Sequence, residues 1–242
     1  MYSIKTTGLV KRYKDITAVD KLNLEIGEGE FFSLLGVNGA GKTTTVKMLS
    51  CLVKPTEGDA FVGGYSVTSE PERVKALIGV SPQETAVAPG LSVRENLELI
   101  CGVHGFSKDK RNEKISSLTK LLGLESVITR KAGKLSGGWQ RRLSIAMALI
   151  SEPKILFLDE PTLGLDVIAR SELWDLIRTL KGKITIILTT HYMEEAEALS
   201  DRVAIMRDGR LQICDTPENI KTTAGTESFE KAFIQIVKEG LQ

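Results

Sequence analysis

Four groups in this sequence have the side chains and the spacing for phosphate chemistry. Gly36-Val37-Asn38-Gly39-Ala40-Gly41-Lys42-Thr43 fits the pattern G-x-x-x-x-G-K-[ST]. Its glycines let backbone N–H groups converge on phosphate oxygens, and a helix start beyond them adds partial positive charge. Lys42 is then placed to reach β- and γ-phosphates, and the Thr43 hydroxyl to sit on Mg²⁺. Asp159-Glu160 closes the apolar run Ile155-Leu156-Phe157-Leu158. One carboxylate there can hold Mg²⁺, usually through water, and the next can polarise an attacking water. Thr189-Thr190-His191 closes another apolar run, where a histidine can bond a γ-phosphate or that water. Leu135-Ser136-Gly137-Gly138 opens a helix whose first N–H groups are left uncovered, a second anion site, with Ser136 able to cap it.

Each group taken alone has a plainer reading: a glycine turn, an acidic loop, a solvated histidine, a capped helix start. The phosphate-loop pattern is the exception, because strand, loop and helix occur in the required order. Phe31, Phe32, Leu34 and Leu35 read as a buried strand before it, and Val46, Met48 and Leu49 suit a helix after it. Together they imply that a nucleoside triphosphate binds here. Tyr13, in the polar stretch Lys11–Asp15, is either a half-exposed tyrosine or an aromatic platform for a purine base. Gln83, after the strand Ile78–Val80, is unremarkable by itself.

The remaining pattern supplies the elements that carry these groups. Residues 1–35 read as strands, with Leu22, Leu24 and Ile26 alternating with polar neighbours. Gly58–Tyr65 reads as a strand with a Gly63-Gly64 turn, and Pro71–Leu77 as a short helix. From Leu91 to about Ile150 the pattern turns helical: a capping box at Ser92–Glu95, a helix capped by Ser107 and ended by Gly123, and another from Gln140. Val167–Leu180 is predicted as an amphipathic helix, Ile184–Leu188 as a buried strand, and Val203–Ile213 as a hairpin through Asp208-Gly209. Phe229, Phe233, Ile236 and Val237 share one helical face, by default a core stripe.

Composition narrows the classes. A chain of 242 residues can bury a full core, and 42% hydrophobic content is ordinary for a globular protein. A formal charge of +1 argues against a nucleic-acid field. No apolar run approaches a bilayer span, and Met1–Tyr13 lacks a signal-peptide core. Cys51, Cys101 and Cys214 have no paired spacing and read as buried reduced thiols, and two histidines are too few for a metal cluster.

In this order the phosphate loop, Gln83, Leu135–Gly138, Ile155–Glu160, Gly164-Leu165-Asp166 and His191 make the chain resemble the ATP-binding subunit of an ABC transporter, over nearly its whole length. The resemblance implies an α/β fold: a P-loop core with a mostly parallel sheet, an antiparallel β region and an inserted helical subdomain. It implies one domain over 1–242, with 1–83 and 151–242 as ATP-binding core and 84–150 as helical subdomain. ATP and Mg²⁺ are the implied ligands. Tyr13 would stack on adenine, and Gly36, Asn38, Gly39, Ala40, Gly41, Lys42, Thr43 and Thr44 would hold the triphosphate. Thr43, Gln83 and Asp159 would arrange the metal, Glu160 would be the general base, and His191 would contact the γ-phosphate. Lys42 and Gln83 join Glu160 and His191 as catalytic candidates. Ser136, Gly137 and Gly138 would complete the ATP site of a second subunit, identical or related, and Asp166 would couple the two halves. The implied partners are that second ATPase subunit and integral membrane permease chains, not nucleic acid, with the chain cytoplasmic on the inner face of the cell membrane.

Two departures from the family pattern are Trp139 at the usual glutamine position and Leu163 where serine is common. Trp174, the other tryptophan, lies well along the chain from any expected phosphate contact. The wording of Ser81–Glu84 and Gly90–Leu97 resembles the subgroup exporting drugs, lipids or polysaccharides through a separate membrane chain, and the early end of the chain fits an exporter. A short importer subunit, a soluble ABC ATPase acting on nucleic acid or ribosomes, and a binding-only regulatory subunit are the alternatives. The single phosphate loop and near-zero charge argue against the second, and Glu160 with His191 against the third.

Overall fold

Phe31–Leu35, Ile155–Asp159 and Thr185–Thr190 are buried at every position, as strands covered on both faces must be. A computed structural model describes residues 2–239; Met1 and residues 240–242 of the expected 1–242 domain lie outside the described residues. In chain order the strands are β1 (Tyr2–Tyr13), β2 (Ile16–Leu22), β3 (Glu25–Gly27), β4 (Phe31–Leu35), β5 (Glu57–Val62), β6 (Tyr65–Ser66), β7 (Ile78–Ser81), β8 (Ile155–Asp159), β9 (Thr185–Thr190), β10 (Arg202–Arg207) and β11 (Arg210–Asp215). The helices are α1 (Lys42–Leu49), α2 (Pro71–Lys75), α3 (Val93–Val103), α4 (Lys108–Leu121), α5 (Gly137–Leu149), α6 (Val167–Arg178), α7 (Met193–Leu199), α8 (Pro217–Thr223) and α9 (Phe229–Glu239).

Two sheets result. One runs β2-β1-β5-β6 with β3 also paired to β1, all antiparallel. The other runs β11-β10-β4-β9-β8-β7, parallel except for the β10–β11 hairpin. Its register sets Leu35 beside Thr190 and Asp159 beside Thr189, so β4, β9 and β8 end at one edge. In open parallel sheets that edge is where ligands bind.

The sheet separates two cores. Leu156 and Leu158 of β8 pack with α3–α6 residues such as Leu97, Leu143 and Leu173. Ile155 and Phe157, on the opposite face, pack with Val46 and Leu49 of α1 and with Ile4 and Val62 of the antiparallel sheet. A third cluster joins α7, α8 and α9 to β10, and it takes in Phe229, Phe233, Ile236 and Val237. That stripe is core packing, as its apolar face predicts.

The local signals hold for α3, whose capping box is formed in both directions, and for α4, where the Ser107 side chain accepts from Lys110 N–H. Three expectations need correction. The helix predicted from Gln140 starts at Gly137, because both glycines enter its first turn. Ser136 stands at its N-cap but makes no side-chain bond there. Of the three free cysteines only Cys101 is fully buried; Cys51 and Cys214 are half-buried.

Candidate active site

The loop Gly36–Gly41 leaves β4 and enters α1 with backbone in close contact on both sides. Gly41 sits at φ 101°, and a Cβ there would lie 2.4 Å from the Ala18 carbonyl oxygen. At Gly36 a Cβ would lie 2.5 Å from the Met206 carbonyl. No larger residue fits either position, so this tight loop depends on glycine rather than merely tolerating it. Gly41 caps α1 without any side-chain bond, which leaves that helix start open to an anion.

Lys42 is buried, and its ammonium donates to the carbonyls of Gly36 at 2.8 Å and Val37 at 3.2 Å. Glu160 Oε1 lies 3.6 Å away. Burial pulls the Lys42 amine below its ordinary value, and the Glu160 carboxylate opposes that. Thr43 Oγ1 donates to Asp159 Oδ1 at 3.0 Å, and Thr189 Oγ1 donates to the same oxygen. Asp159 is therefore held from the first turn of α1 and from the neighbouring strand β9.

Glu160 has a left-handed backbone, φ 45°, a conformation that costs a non-glycine residue about 1–3 kcal/mol. Its N–H is held by the Thr189 carbonyl at 3.1 Å and the Thr189 hydroxyl at 3.0 Å. The kink turns the side chain toward His191, whose Nδ1 lies 3.1 Å from Glu160 Oε2. Residues 31 apart in sequence meet because β8 and β9 are adjacent.

A cavity of about 730 Å³ opens over this edge. Tyr13, the loop from Asn38 through Thr44, Gln83, Glu160 and His191 all line it. Tyr13 is 43% exposed at its mouth, with Lys11 Nζ 5.1 Å from the ring centre. Ile16–Ala18, Leu163 and Asp208 complete the wall; no motif assigned them to it. Ser136, Gly137, Gly138 and Asp166 do not line the cavity. They form a separate group: Gly137 and Gly138 lie against Leu165 and Ala169, and Asp166 caps α6 by accepting from Ala169 N–H at 2.9 Å.

Sequence reasoning missed three contributors. Thr189 fastens both Asp159 and Glu160; the signal was a polar residue closing an apolar strand. No motif marks Arg141, yet it is buried and its guanidinium reaches the carbonyls of Pro82 and Gln83. No motif marks Glu195 either, and it is fully buried. Trp139 is half-buried: it packs on the helical core, and the Arg142 guanidinium stacks 4.9 Å from its ring. Trp174 does not line the cavity, and its Nε1 donates to Glu195 at 3.0 Å.

The sequence profile described as ABC transporter matches residues 19–163. The daunorubicin/doxorubicin resistance ATP-binding protein DrrA of Streptomyces peucetius is 41% identical over 225 residues, 93% of this chain and 68% of that protein. Human phospholipid-transporting ATPase ABCA3 is 42% identical over 88% of this chain, which spans 12% of its length. The probable multidrug ABC transporter ATP-binding protein YbhF of Escherichia coli is 37% identical over 98% of this chain, which spans 42% of it. Among solved structures, an ATP-binding subunit of an ABC transporter superposes with a TM-score of 0.85 at 26% identity, covering 96% of this chain and 98% of that one. A dimeric ATP-binding cassette in a post-hydrolysis state, bound to ADP and phosphate, gives 0.80 at 30% identity, over 88% of this chain and 98% of that one. Sequence and backbone agree along nearly the whole length, and the chain belongs to the ABC transporter family as an ATP-binding cassette.

Proposed function

We propose that this chain binds ATP with Mg²⁺ and hydrolyses it as the motor subunit of a membrane transporter. The observation that carries the reading is the convergence of Lys42, Thr43, Asp159, Glu160 and His191 on one sheet edge under a single cavity. Lys42 and the Gly39–Thr44 backbone hold the phosphates, and Tyr13 offers its ring to the base. Thr43 and Asp159, 3.0 Å apart, with Gln83 on the same cavity, form an all-oxygen donor set suited to Mg²⁺. The metal, when bound, neutralises developing phosphate charge. Glu160 takes the proton of the attacking water, and His191 orients Glu160 and meets the γ-phosphate.

Residues 84–150 act as a helical subdomain on a core made of 1–83 and 151–242. The group at Ser136–Gly138 and Asp166 faces away from the cavity and closes on the ATP of a second subunit. The dimeric solved relative supports that reading. No helix among the described residues is long and apolar enough to cross a membrane. The proposed motor subunit pairs with a membrane permease, which holds it at the inner face of the cell membrane. The names of the drug-resistance relatives support export over import.

Release of phosphate from ATP, dependent on Mg²⁺, tests the reading in the full chain. Lys42→Ala should lower it by about 10²–10³, the loss expected when a charged donor leaves such a site. Equal rates in mutant and wild type would overturn the assignment.

A further inference from the structure

Glu195 lies off the cavity wall, on the helix that follows His191. It is 0% exposed and has no ion pair among the described residues. Its Oε1 accepts from Trp174 Nε1 of α6, while its Oε2 has no hydrogen bond of good geometry. Thr162 Oγ1, two residues past Glu160, is likewise sealed and unpartnered. The hydroxyls of Thr162 and Thr190 lie near enough to bear on the Glu195 carboxyl, and Thr190 immediately precedes His191. A buried carboxyl thus stands between the backbone segments that carry the candidate base and the candidate histidine.

We propose that Glu195 is a positioning residue, whose carboxyl joins the Thr162 and Thr190 hydroxyls to Trp174 and so sets Glu160 and His191 at their 3.1 Å spacing. The inference rests on the reading of Glu160 as base. Burial raises the proton affinity of Glu195, and its hydrogen-bonding neighbours and Arg170 oppose that. A neutral carboxyl donates one hydrogen bond and accepts others, so it can serve a hydroxyl at one oxygen and the indole at the other. Arg170 adds to the same joint by stacking on Trp174 at 5.6 Å and on Tyr192 at 5.5 Å. The two oxygens left without bonds of good geometry mark a contact that tightens when the site closes, as catalytic hydrogen bonds do.

The test is steady-state ATP hydrolysis by the full chain. Hydrolysis by the wild type establishes the underlying reading first, so its failure is separable. Glu195→Ala should lower kcat about tenfold or more while leaving KM for ATP nearly unchanged, because misplacement of reacting groups is felt in the transition state. Glu195→Gln offers an amide donor and acceptor of the same shape and should retain kcat. Thr162→Val, which removes only the hydroxyl, should reproduce the kcat loss, and it serves should the alanine variant fold poorly. Full kcat in Glu195→Ala or in Thr162→Val would overturn the proposal. So would an equal loss in the alanine and glutamine variants, which would assign Glu195 a charge or packing role.

Discussion

Arg141 and Gln83 are joined by a hydrogen bond of 2.7 Å from Nη2 to the Gln83 carbonyl, and Nη1 of the same guanidinium donates to the Pro82 carbonyl at 2.6 Å. The first turn of α5 and the loop after β7 are thereby one mechanical piece. One end of that piece is proposed to meet the second subunit's ATP, and the other end lines this chain's own cavity. Burial lowers the proton affinity of Arg141, with Asp159 and Glu195 acting against it, so the bond is kept at a desolvation cost.

Arg141→Met preserves the buried stem and removes both donors. The chain should lose about 1–3 kcal/mol, the cost of leaving buried polar groups unpaired. Amide exchange should quicken around Gln83. Arg141→Lys should not restore either property, since an ammonium lacks the planar fork that serves two carbonyls. Wild-type denaturation and exchange in the methionine variant would show the link to be incidental.

Helix α3 leaves Leu99 51% and Val103 77% exposed, one turn apart, beside the Arg94–Glu98 pair at 3.6 Å. Exposed apolar side chains grouped this way mark a contact surface. Leu99→Glu with Val103→Glu should abolish co-purification with the membrane chain and leave ATP hydrolysis by the isolated subunit intact. Retention of the membrane chain after both changes would move the docking surface elsewhere.

Glu160→Gln keeps size and hydrogen bonding but removes the base, so ATP should bind without turnover. Ligand held across an interface favours the assembled form by mass action. Light scattering should therefore show mass doubling with ATP. Ser136→Glu, added to this background, sets a carboxylate at the bare start of α5 and should prevent the doubling. A mass that stays at one chain in saturating ATP would exclude closure around nucleotide.

Burial pushes the half-buried Cys214 thiol up to about 11, against the pull of Arg202, whose Nη2 lies 3.2 Å from Sγ. An unfolded thiol ionises near about 8.5. Between these values the unfolded chain has released a proton that the folded chain still holds. Stability from this group is thus full below pH ~8.5 and declines as pH rises toward the folded value. Urea unfolding across that window should show a steeper loss for wild type than for Cys214→Ala. Parallel slopes would mean that the thiol is solvated.

What the sequence reveals is what neighbours in sequence decide. The phosphate loop is legible because strand, glycines, Lys42 and helix are contiguous, and the Ser92–Glu95 box and the Asp208-Gly209 hairpin are legible for the same reason. The joining of Glu160 to His191 depends on β9 entering between β4 and β8, an order that no local pattern encodes. Thr189 gained its importance from that same insertion. Arg141 and Glu195 carry no sequence signal because charged residues on helices are usually solvated, and only tertiary contacts reveal which ones are enclosed. Ser136 failed as a side-chain cap although its residue type favours one, which leaves the start of α5 more open than propensity suggests.

Alternate residues of β8 answer to different neighbours, Leu156 and Leu158 to the helices and Ile155 and Phe157 to the phosphate-loop side. Changes on opposite faces share few partners, so their effects on stability should be close to additive. The strand thereby works as a firewall in descent. Side chains among the helices can be exchanged while the volume behind the phosphate loop stays as it was.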